Sequence, residues 1–465
     1  VGAIDTEVPP YGNVREGNLK VLLAVHHFPP RHIGGAEWKA HRIACRLREK
    51  GYEVQVICVE SDTYGPAGQL EHTDELYDGI PVRRLFFNLP LSADPFRSSF
   101  RNLLIEQHLL SYLEDFRPDV LHLISGYLMS GSVVSAARSC GVPVVLEPVD
   151  FWFLCPRVTL LQPNGLVCDV PEDLTECVLC LCQDKRRYRL TAKITAGISN
   201  RLLRQLWRSP LVLKGMGKEN LQTALQERRN YLREIFGAAD LVLSESLFLK
   251  EMLSAQGFHT PRFLQLRQGV DIQRWVGDGT KKPSPYLRVG YIGQIAKHKG
   301  VDVLVRAFKR LQTKGPAPRL LLYGNAEQFP PFTHHLRRFV DGDERITFAG
   351  TFPNEQILEV HSELDVLVVP SVWYENSPNV ILEAFAAGTP VIASDTGGMA
   401  ELVQHEVNGL LFKMGDAANL AHQLQRIVDQ PTMLESLKQG IPPARTVQEE
   451  MAELVQIYHS VIERS

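Results

Sequence analysis

Two kinds of apolar pattern alternate along the 465 residues: short, nearly unbroken runs, and stretches where apolar residues recur at every third or fourth position. The run at 19–25, LKVLLAV, predicts a strand buried on both faces. A loop with Pro29, Pro30, Gly34 and Gly35 follows. From 36 to 50, Ala36, Ala40, Ile43, Ala44 and Leu47 then fall at helical spacing, and Gly51 supplies a stop. Residues 54–59 are the next strand. Strand, helix, strand in this order implies a right-handed crossover and a parallel sheet. The series goes on with a helix at 103–116, a strand at 120–124, a helix at 131–140, strands at 142–146 and 240–244, and a helix near 248–256.

A second series starts at Leu287, with strands expected at 289–292, 319–323, 346–349, 366–369 and 391–393 and helical patterns between them. Between the two series, 277–285 is poor in apolar residues and carries Gly, Lys, Pro and Ser, which marks it as a linker. The expected fold class is therefore α/β, with two doubly wound Rossmann-like domains facing a cleft and a Cys-rich, basic insert in the first. The expected boundaries are 1–276 for the first domain, with the insert at 151–235, and 286–445 for the second. A terminal helix, 446–465, is expected to pack back on the first domain.

Composition adds few constraints. Apolar residues at 44%, charged residues at 22% and a formal charge of −3 describe an ordinary globular enzyme, and length alone favours two domains. No apolar run approaches the roughly 20 residues that span a bilayer. The first residues, VGAIDTEVPPYGN, have neither the basic start nor the apolar core of a secretory signal. Eight unevenly spread cysteines fit a reducing compartment better than a disulfide framework, so a cytoplasmic location is expected.

The densest chemistry lies at 370–401, PSVWYENSPNVILEAFAAGTPVIASDTGGMAE. Glu375 sits in a loop after a strand, and Glu383 lies eight positions on, inside a helix that Pro378 or Asn379 opens. A helix N-terminus presents unpaired N–H groups and a positive dipole end, which suits a diphosphate. Ser377 or Asn379 can cap that end, and Glu383 can accept from vicinal hydroxyls such as those of a ribose. Pro370, Ser371, Glu375, Glu383, Ala384, Gly388, Pro390, Val391, Gly397, Gly398 and Glu401 together resemble the frame of the family-four retaining glycosyltransferases of the GT-B fold, with Gly409 fitting the next turn. The resemblance implies a nucleotide diphosphate sugar as donor, net retention and no divalent metal in catalysis. It implies that Glu375 meets the donor sugar and Glu383 the ribose, with Asn376, Ser377, Asn379 and Val380 beside the donor.

Residues 290–300, GYIGQIAKHKG, resemble a second family element. Many members of the family it resembles carry Arg where Gln294 stands, whereas Lys299 is retained, and a cation there would offset charge on the departing diphosphate. With Gln294 uncharged, Lys299 carries more of that load or Arg288 or Lys297 helps. Gly34 and Gly35 resemble the first-domain loop that reaches toward the donor phosphates. At 144–157, VVLEPVDFWFLCPR, Val149 replaces the family's usual His, which leaves Asp150 as the nearest ionisable group on the acceptor side and Glu147 as the second. His122 reads as a packing residue in preference to a base.

Five cysteines fall between 155 and 182. Cys177 and Cys180 have the x2 spacing of a metal knuckle, and turns at Asn164, Gly165 and Pro171 could bring Cys155 and Cys168 to them, for a structural zinc or an iron–sulfur cluster. Disulfides or free thiols are the alternative. After them, 184–233 holds thirteen Lys or Arg against three Asp or Glu, a net of +10 that leaves −13 elsewhere. Trp207 and leucines interleave with Arg201, Arg204 and Arg208, as in a helix docked on an anionic membrane, or as in a solvated helical face. No nucleic-acid reading module accompanies the charge. The resulting expectation is a retaining glycosyltransferase, peripheral at the inner membrane face, whose acceptor, lipid-linked or a cell-surface polysaccharide precursor, the sequence does not identify. A nucleotide-sugar epimerase and a non-catalytic sugar-nucleotide binding module are the rivals.

Overall fold

A computed structural model describes residues 19–183, 219–277 and 279–464. The chain divides into two compact units. The first comprises Val1–Ser244, Lys250–Leu266 and Met451–Ser465, and the second Glu245–Leu249 and Arg267–Glu450.

The first unit is built on eight strands: β1 (Lys20–Val25), β2 (Glu53–Ser61), β3 (Leu70–Tyr77), β4 (Ile80–Phe87), β5 (Val120–Ile124), β6 (Val144–Glu147), β7 (Leu241–Ser244) and β8 (Phe263–Gln265). Their order is β3-β4-β2-β1-β5-β6-β7-β8. Val21 to Val25 and all of β5 are buried, as a strand covered by helices on both faces must be. The sheet is parallel except at β3 and β4, a hairpin turned by Asp78 and Gly79, both at positive φ. The apolar pattern does not announce this hairpin. β3, LEHTDELY, is largely exposed, and its acidic residues face Arg83 and Arg84 of β4.

The second unit is a six-stranded sheet of β9 (Arg288–Ile292), β10 (Arg319–Tyr323), β11 (Ile346–Gly350), β12 (Val366–Val369), β13 (Val391–Ser394) and β14 (Gly409–Phe412). The order is β11-β10-β9-β12-β13-β14 and every pairing is parallel. Sequence order reverses between β9 and β12, so the loops leaving these strands open onto the switch point where doubly wound sheets bind ligands. The stretch expected as a linker is anchored in this unit: Lys281 is half-buried, and its ammonium donates to His361 O at 2.8 Å and Thr389 Oγ1 at 3.0 Å.

Within the first unit, one buried charged group joins β5, β6 and two helices. Lys39, on the helix Gly35–Glu49, places its ammonium 2.5 Å from Glu147 Oε1, and His122 Nε2 stands 3.2 Å from Oε2. His122 Nδ1 meets Tyr458 OH at 2.7 Å, which ties in the stretch Met451–Ser465. Burial pushes the Glu147 carboxyl up, but Lys39 and His122 outweigh it and hold the group down at about 2, from 4.5. Among the described residues no helix is long and apolar enough to cross a membrane. Of the basic run, 184–218 lies outside the described residues, including Arg201, Arg204, Trp207 and Arg208, and the remainder falls in the helix Glu219–Ala238.

The Glu147 cluster predicts a pH dependence. Between pH 4.5 and about 2 the unfolded chain binds the proton that folded Glu147 refuses, so this contribution to stability is complete above pH 4.5 and is lost as pH falls through that window. Calorimetric melting of Glu147→Gln should show a shallower acid limb than wild type. At pH 7, Glu147→Leu should cost about 3–5 kcal/mol, because Lys39 is left charged and unpaired in the interior.

Candidate active site

In the second unit β12 delivers the chain to a loop, 370–378, that leads into the helix Asn379–Ala386. Pro378, and not Ser377 or Asn379, is the N-cap residue, in extended conformation and with no side-chain cap bond of its own. Asn379 is the first helical residue and Val380 the second. The dipole end therefore stays open to an anion. Glu383 lies one turn in and is half-buried.

Glu375 is the centre of a converging set of donors. Its Oε1 accepts from Lys299 Nζ at 2.7 Å, from Ser371 Oγ at 2.8 Å and from Trp373 Nε1 at 2.7 Å. Three donors on one oxygen leave Oε2 to accept from a ligand. The Lys299 ammonium also stands over the Trp373 ring, 4.9 Å from its centroid, and Trp373 packs on His298 at 4.5 Å. Burial and the neighbouring Lys299 cation push the His298 imidazole below its usual range.

Backbone contacts lock the two loops together. Val372 N–H donates to His298 O at 2.9 Å, and Gly300, at φ +71°, leaves no room for a side chain, since a Cβ there would stand 1.8 Å from Pro370 O. On the other side Gly398 N–H donates to Glu375 O at 2.8 Å, and a Cβ on Gly398 would meet Asn376 O at 1.6 Å.

The other cations considered from the sequence are engaged elsewhere. Arg288 clamps Asp365 through Nε and Nη2 at 3.2 and 2.8 Å, and Lys297 pairs with Asp302 at 2.8 Å. Gln294 is exposed, and its carbonyl accepts from Tyr291 OH at 2.5 Å. Among these groups only the Lys299 ammonium is held on Glu375. Glu401 accepts from the backbone N–H of Leu247 and Phe248 at 2.7 and 3.2 Å and pairs with Arg267 at 3.3 Å.

In the first unit Gly34 is the N-cap of the helix Gly35–Glu49, and a Cβ on Gly34 would meet Glu37 Oε2 at 2.5 Å, whereas Gly35 faces open space. Glu37 Oε1 lies 3.3 Å from His26 Nε2. Asp150 follows β6; its carboxylate accepts from Ser125 Oγ at 2.5 Å and from Trp152 N–H at 2.8 Å. Burial pushes this carboxyl above the usual range despite those bonds. Glu147, the second acceptor-side candidate in the sequence reading, is wholly buried and committed to Lys39 and His122, which removes it from contact with a ligand.

None of the eight cysteines is in a disulfide. Among the described residues no group of three or more His, Cys, Asp or Glu is arranged to hold a metal ion, so the centre expected from Cys155, Cys168, Cys177 and Cys180 is not shown. The four are neighbours nonetheless. Burial pushes the Cys177 thiol up to about 12, and Cys155, Cys168 and Cys180 add to the shift. Cys155 Sγ accepts from Arg157 N–H at 3.4 Å.

Sequence reasoning did not find Trp373, Ser371 as a ligand of Glu375, or Ser246, which bonds to Asn376. Trp373 and Ser371 stand within four residues of Glu375, and their alternation along the loop was the available signal.

Comparison with known proteins agrees with this geometry. The family described as Glycosyl transferases group 1 matches residues 286–430, and that described as Glycosyl transferase 4-like domain matches 34–168. The chain is 26% identical over 430 residues, 88% of its length and 89% of the relative's, to a GDP-mannose-dependent alpha-mannosyltransferase of Mycobacterium tuberculosis (strain CDC 1551 / Oshkosh). Among solved structures it is similar to sucrose-phosphate synthase from Thermosynechococcus elongatus, with a TM-score of 0.63, 18% identity and coverage of 96% of this chain and all of that one. It is also similar to Anabaena Alr3699/HepE in complex with UDP and glucose, with a TM-score of 0.60, 17% identity and coverage of 95% and 100%.

Proposed function

Since the chain belongs to family four of the GT-B glycosyltransferases, which use nucleotide-sugar donors, we propose that it transfers a hexose with net retention of anomeric configuration to a hydroxyl acceptor. The observation that carries this reading is the Glu375 site, with Lys299 on one carboxylate oxygen and an uncapped helix N-terminus four residues on.

In this reading Glu375 Oε2 accepts from the donor sugar hydroxyls and Glu383 from the ribose. Lys299 and the first turn of the helix Asn379–Ala386, at Asn379 and Val380, oppose the growing charge on the diphosphate, and Gln294 and Ser377 complete the donor contacts of this unit. The acceptor oxygen bonds the anomeric carbon as the bond from that carbon to the diphosphate oxygen breaks on the same face. The hydroxyl proton passes to the departing phosphate oxygen, giving a glycoside and a nucleoside diphosphate. Asp150, with its carboxyl pushed up, is the acceptor-side group. The nucleotides named with two similar proteins, GDP-mannose and UDP, support a nucleotide-sugar donor without fixing the base.

Donor consumption over a panel of UDP-glucose, GDP-mannose and ADP-glucose, with and without acceptor extract, tests the reading; consumption that never depends on acceptor rejects transfer. With the donor so found, Glu383→Ala should raise donor KM about tenfold with little change in kcat, because ribose contacts are made equally in ground and transition states. Glu375→Gln should lower kcat by roughly a hundredfold. Wild-type turnover in both variants would reject the assignment.

A metal held by Cys155, Cys168, Cys177 and Cys180 is a separate proposal, supported by the x2 spacing and by the N–H to Sγ bond at Cys155. Elemental analysis after anaerobic purification should find about one equivalent of zinc, or iron, lost in Cys177→Ser and Cys180→Ser. Less than about a tenth of an equivalent in wild type removes it.

The third proposal is that the basic run, net +10, docks the enzyme on an anionic membrane that presents a lipid-linked acceptor or polysaccharide precursor. Co-sedimentation with anionic vesicles should exceed that with neutral ones, weaken in high salt and fall when Arg201, Arg204 and Arg208 become Gln. Equal sedimentation with both vesicle types favours a soluble acceptor.

A further inference from the structure

The loop that carries Glu375 also carries a buried amide that its own fold does not use. Asn376 is 9% exposed, and its Nδ2 has no hydrogen-bond partner among the described residues. A buried donor left without an acceptor is destabilising, so such groups persist where something other than the folded chain completes them.

The amide is not free to turn. Ser246 Oγ stands 2.5 Å from Asn376 Oδ1 and accepts from Leu249 N–H at 3.1 Å. The Ser246 hydroxyl donates to the carbonyl end of the amide, the only end that can accept a hydrogen bond. The NH2 end is thereby directed away from Ser246. Ser246 is set in turn by its neighbours in sequence: Leu247 and Phe248 give their N–H groups to Glu401, and the Phe248 ring packs on Tyr374 at 5.1 Å. On the backbone side Gly398 presses against the Asn376 carbonyl, where a Cβ would come to 1.6 Å. Glu401, Ser246 and Gly398 thus fix a single side chain between Glu375 and the open N-terminus of the helix Asn379–Ala386.

Charge indicates what completes it. In this unit Gln294 brings no charge, Arg288 is spent on Asp365, Lys297 on Asp302, and Lys299 is shared with Glu375. A diphosphate offers only acceptor oxygens, and the Asn376 NH2 offers only donors. We infer that the Asn376 carboxamide, oriented by Ser246, is a hydrogen-bond donor to the diphosphate of the nucleotide-sugar donor, adding a neutral donor where the neighbouring cations are engaged. This rests on the donor reading above and adds to it a binding residue and the positioning residue behind it.

Asn376→Asp separates this role from a structural one. It matches Asn in size and keeps an oxygen for Ser246, but it replaces the NH2 donor with an acceptor that repels phosphate. Asn376→Ala serves as a second variant without added charge. Calorimetric titration of the full chain with UDP, GDP and ADP, and ligand-observed NMR with uridine, guanosine and adenosine, would be compared with wild type. Whichever diphosphate wild type binds should bind Asn376→Asp at least about tenfold more weakly and Asn376→Ala about three- to tenfold more weakly, with nucleoside affinity within about twofold in both. Ser246→Ala should fall between wild type and Asn376→Ala. Diphosphate binding to Asn376→Asp within about twofold of wild type, or an equal loss for nucleoside and diphosphate, overturns the inference. Wild type binding none of the three diphosphates would instead overturn the donor reading, and this inference with it.

Discussion

The second unit depends on satisfying one carboxylate. Glu375 lies in a loop with its side chain 14% exposed, and a charge so placed is costly unless hydrogen bonds replace the lost water. Lys299, Ser371 and Trp373 supply three of them, to the same oxygen. Lys299 comes from the loop after β9, and the other two come from the loop after β12. The carboxylate therefore draws together the exits of two adjacent strands, and the glycines at 300 and 398 are what the backbone needs to come close enough. Saturating one oxygen also makes the pair asymmetric, with one oxygen structural and the other left for chemistry.

This explains why so much of the second-unit site is readable as spacing along the chain. Residues 370–401, directly after β12, fold as loop, helix, turn, strand and the start of the helix Gly397–Leu402, so Glu375, Glu383 and Gly398 hold fixed relations through local geometry. The buried strands are readable for a similar reason, since two-sided burial demands unbroken apolar runs such as VLVV at β12. What is not readable is contact between distant positions. Ser246 meets Asn376 across 130 residues, and no periodicity records a hydroxyl whose role is to orient an amide. The hairpin of β3 and β4 escapes for the opposite reason. An edge strand with an exposed charged face loses the apolar signal, and the wholly buried Arg84 looks like a surface residue until its bonds to Glu75, Glu60 and the carbonyls of Phe28 and Pro29 are seen.

The cation distribution also follows from local competition. Arg288 and Lys297 are close in sequence to Lys299, and composition alone makes the loop look generously basic. Each, however, is claimed by an aspartate of its own neighbourhood, at 365 and 302. In the donor site proposed above, Lys299 is the one ammonium held on Glu375 among the described residues, and oriented dipoles, the helix end and neutral amide groups, supply the rest of the field that would oppose a diphosphate. Dipoles fixed by the fold need no reorganisation as charge develops, so a held amide is weaker than a cation but already oriented.

The first unit shows the same principle with two carboxyl groups only three residues apart. Glu147 and Asp150 both follow from β6, yet they are driven in opposite directions. Glu147 has an ammonium and an imidazole against it, and stays ionised in the interior as the link between β5, β6 and the C-terminal helix. Asp150 receives only a hydroxyl and one backbone N–H, and burial prevails, so its carboxyl is pushed up. A group held charged by permanent partners has no capacity left for a ligand, whereas one whose partners do not fully compensate its burial gains from an additional donor. Environment, not residue type, thus divides the pair: Glu147 is committed inside the unit, whereas Asp150 keeps the capacity for a further donor that the acceptor-side role proposed above requires.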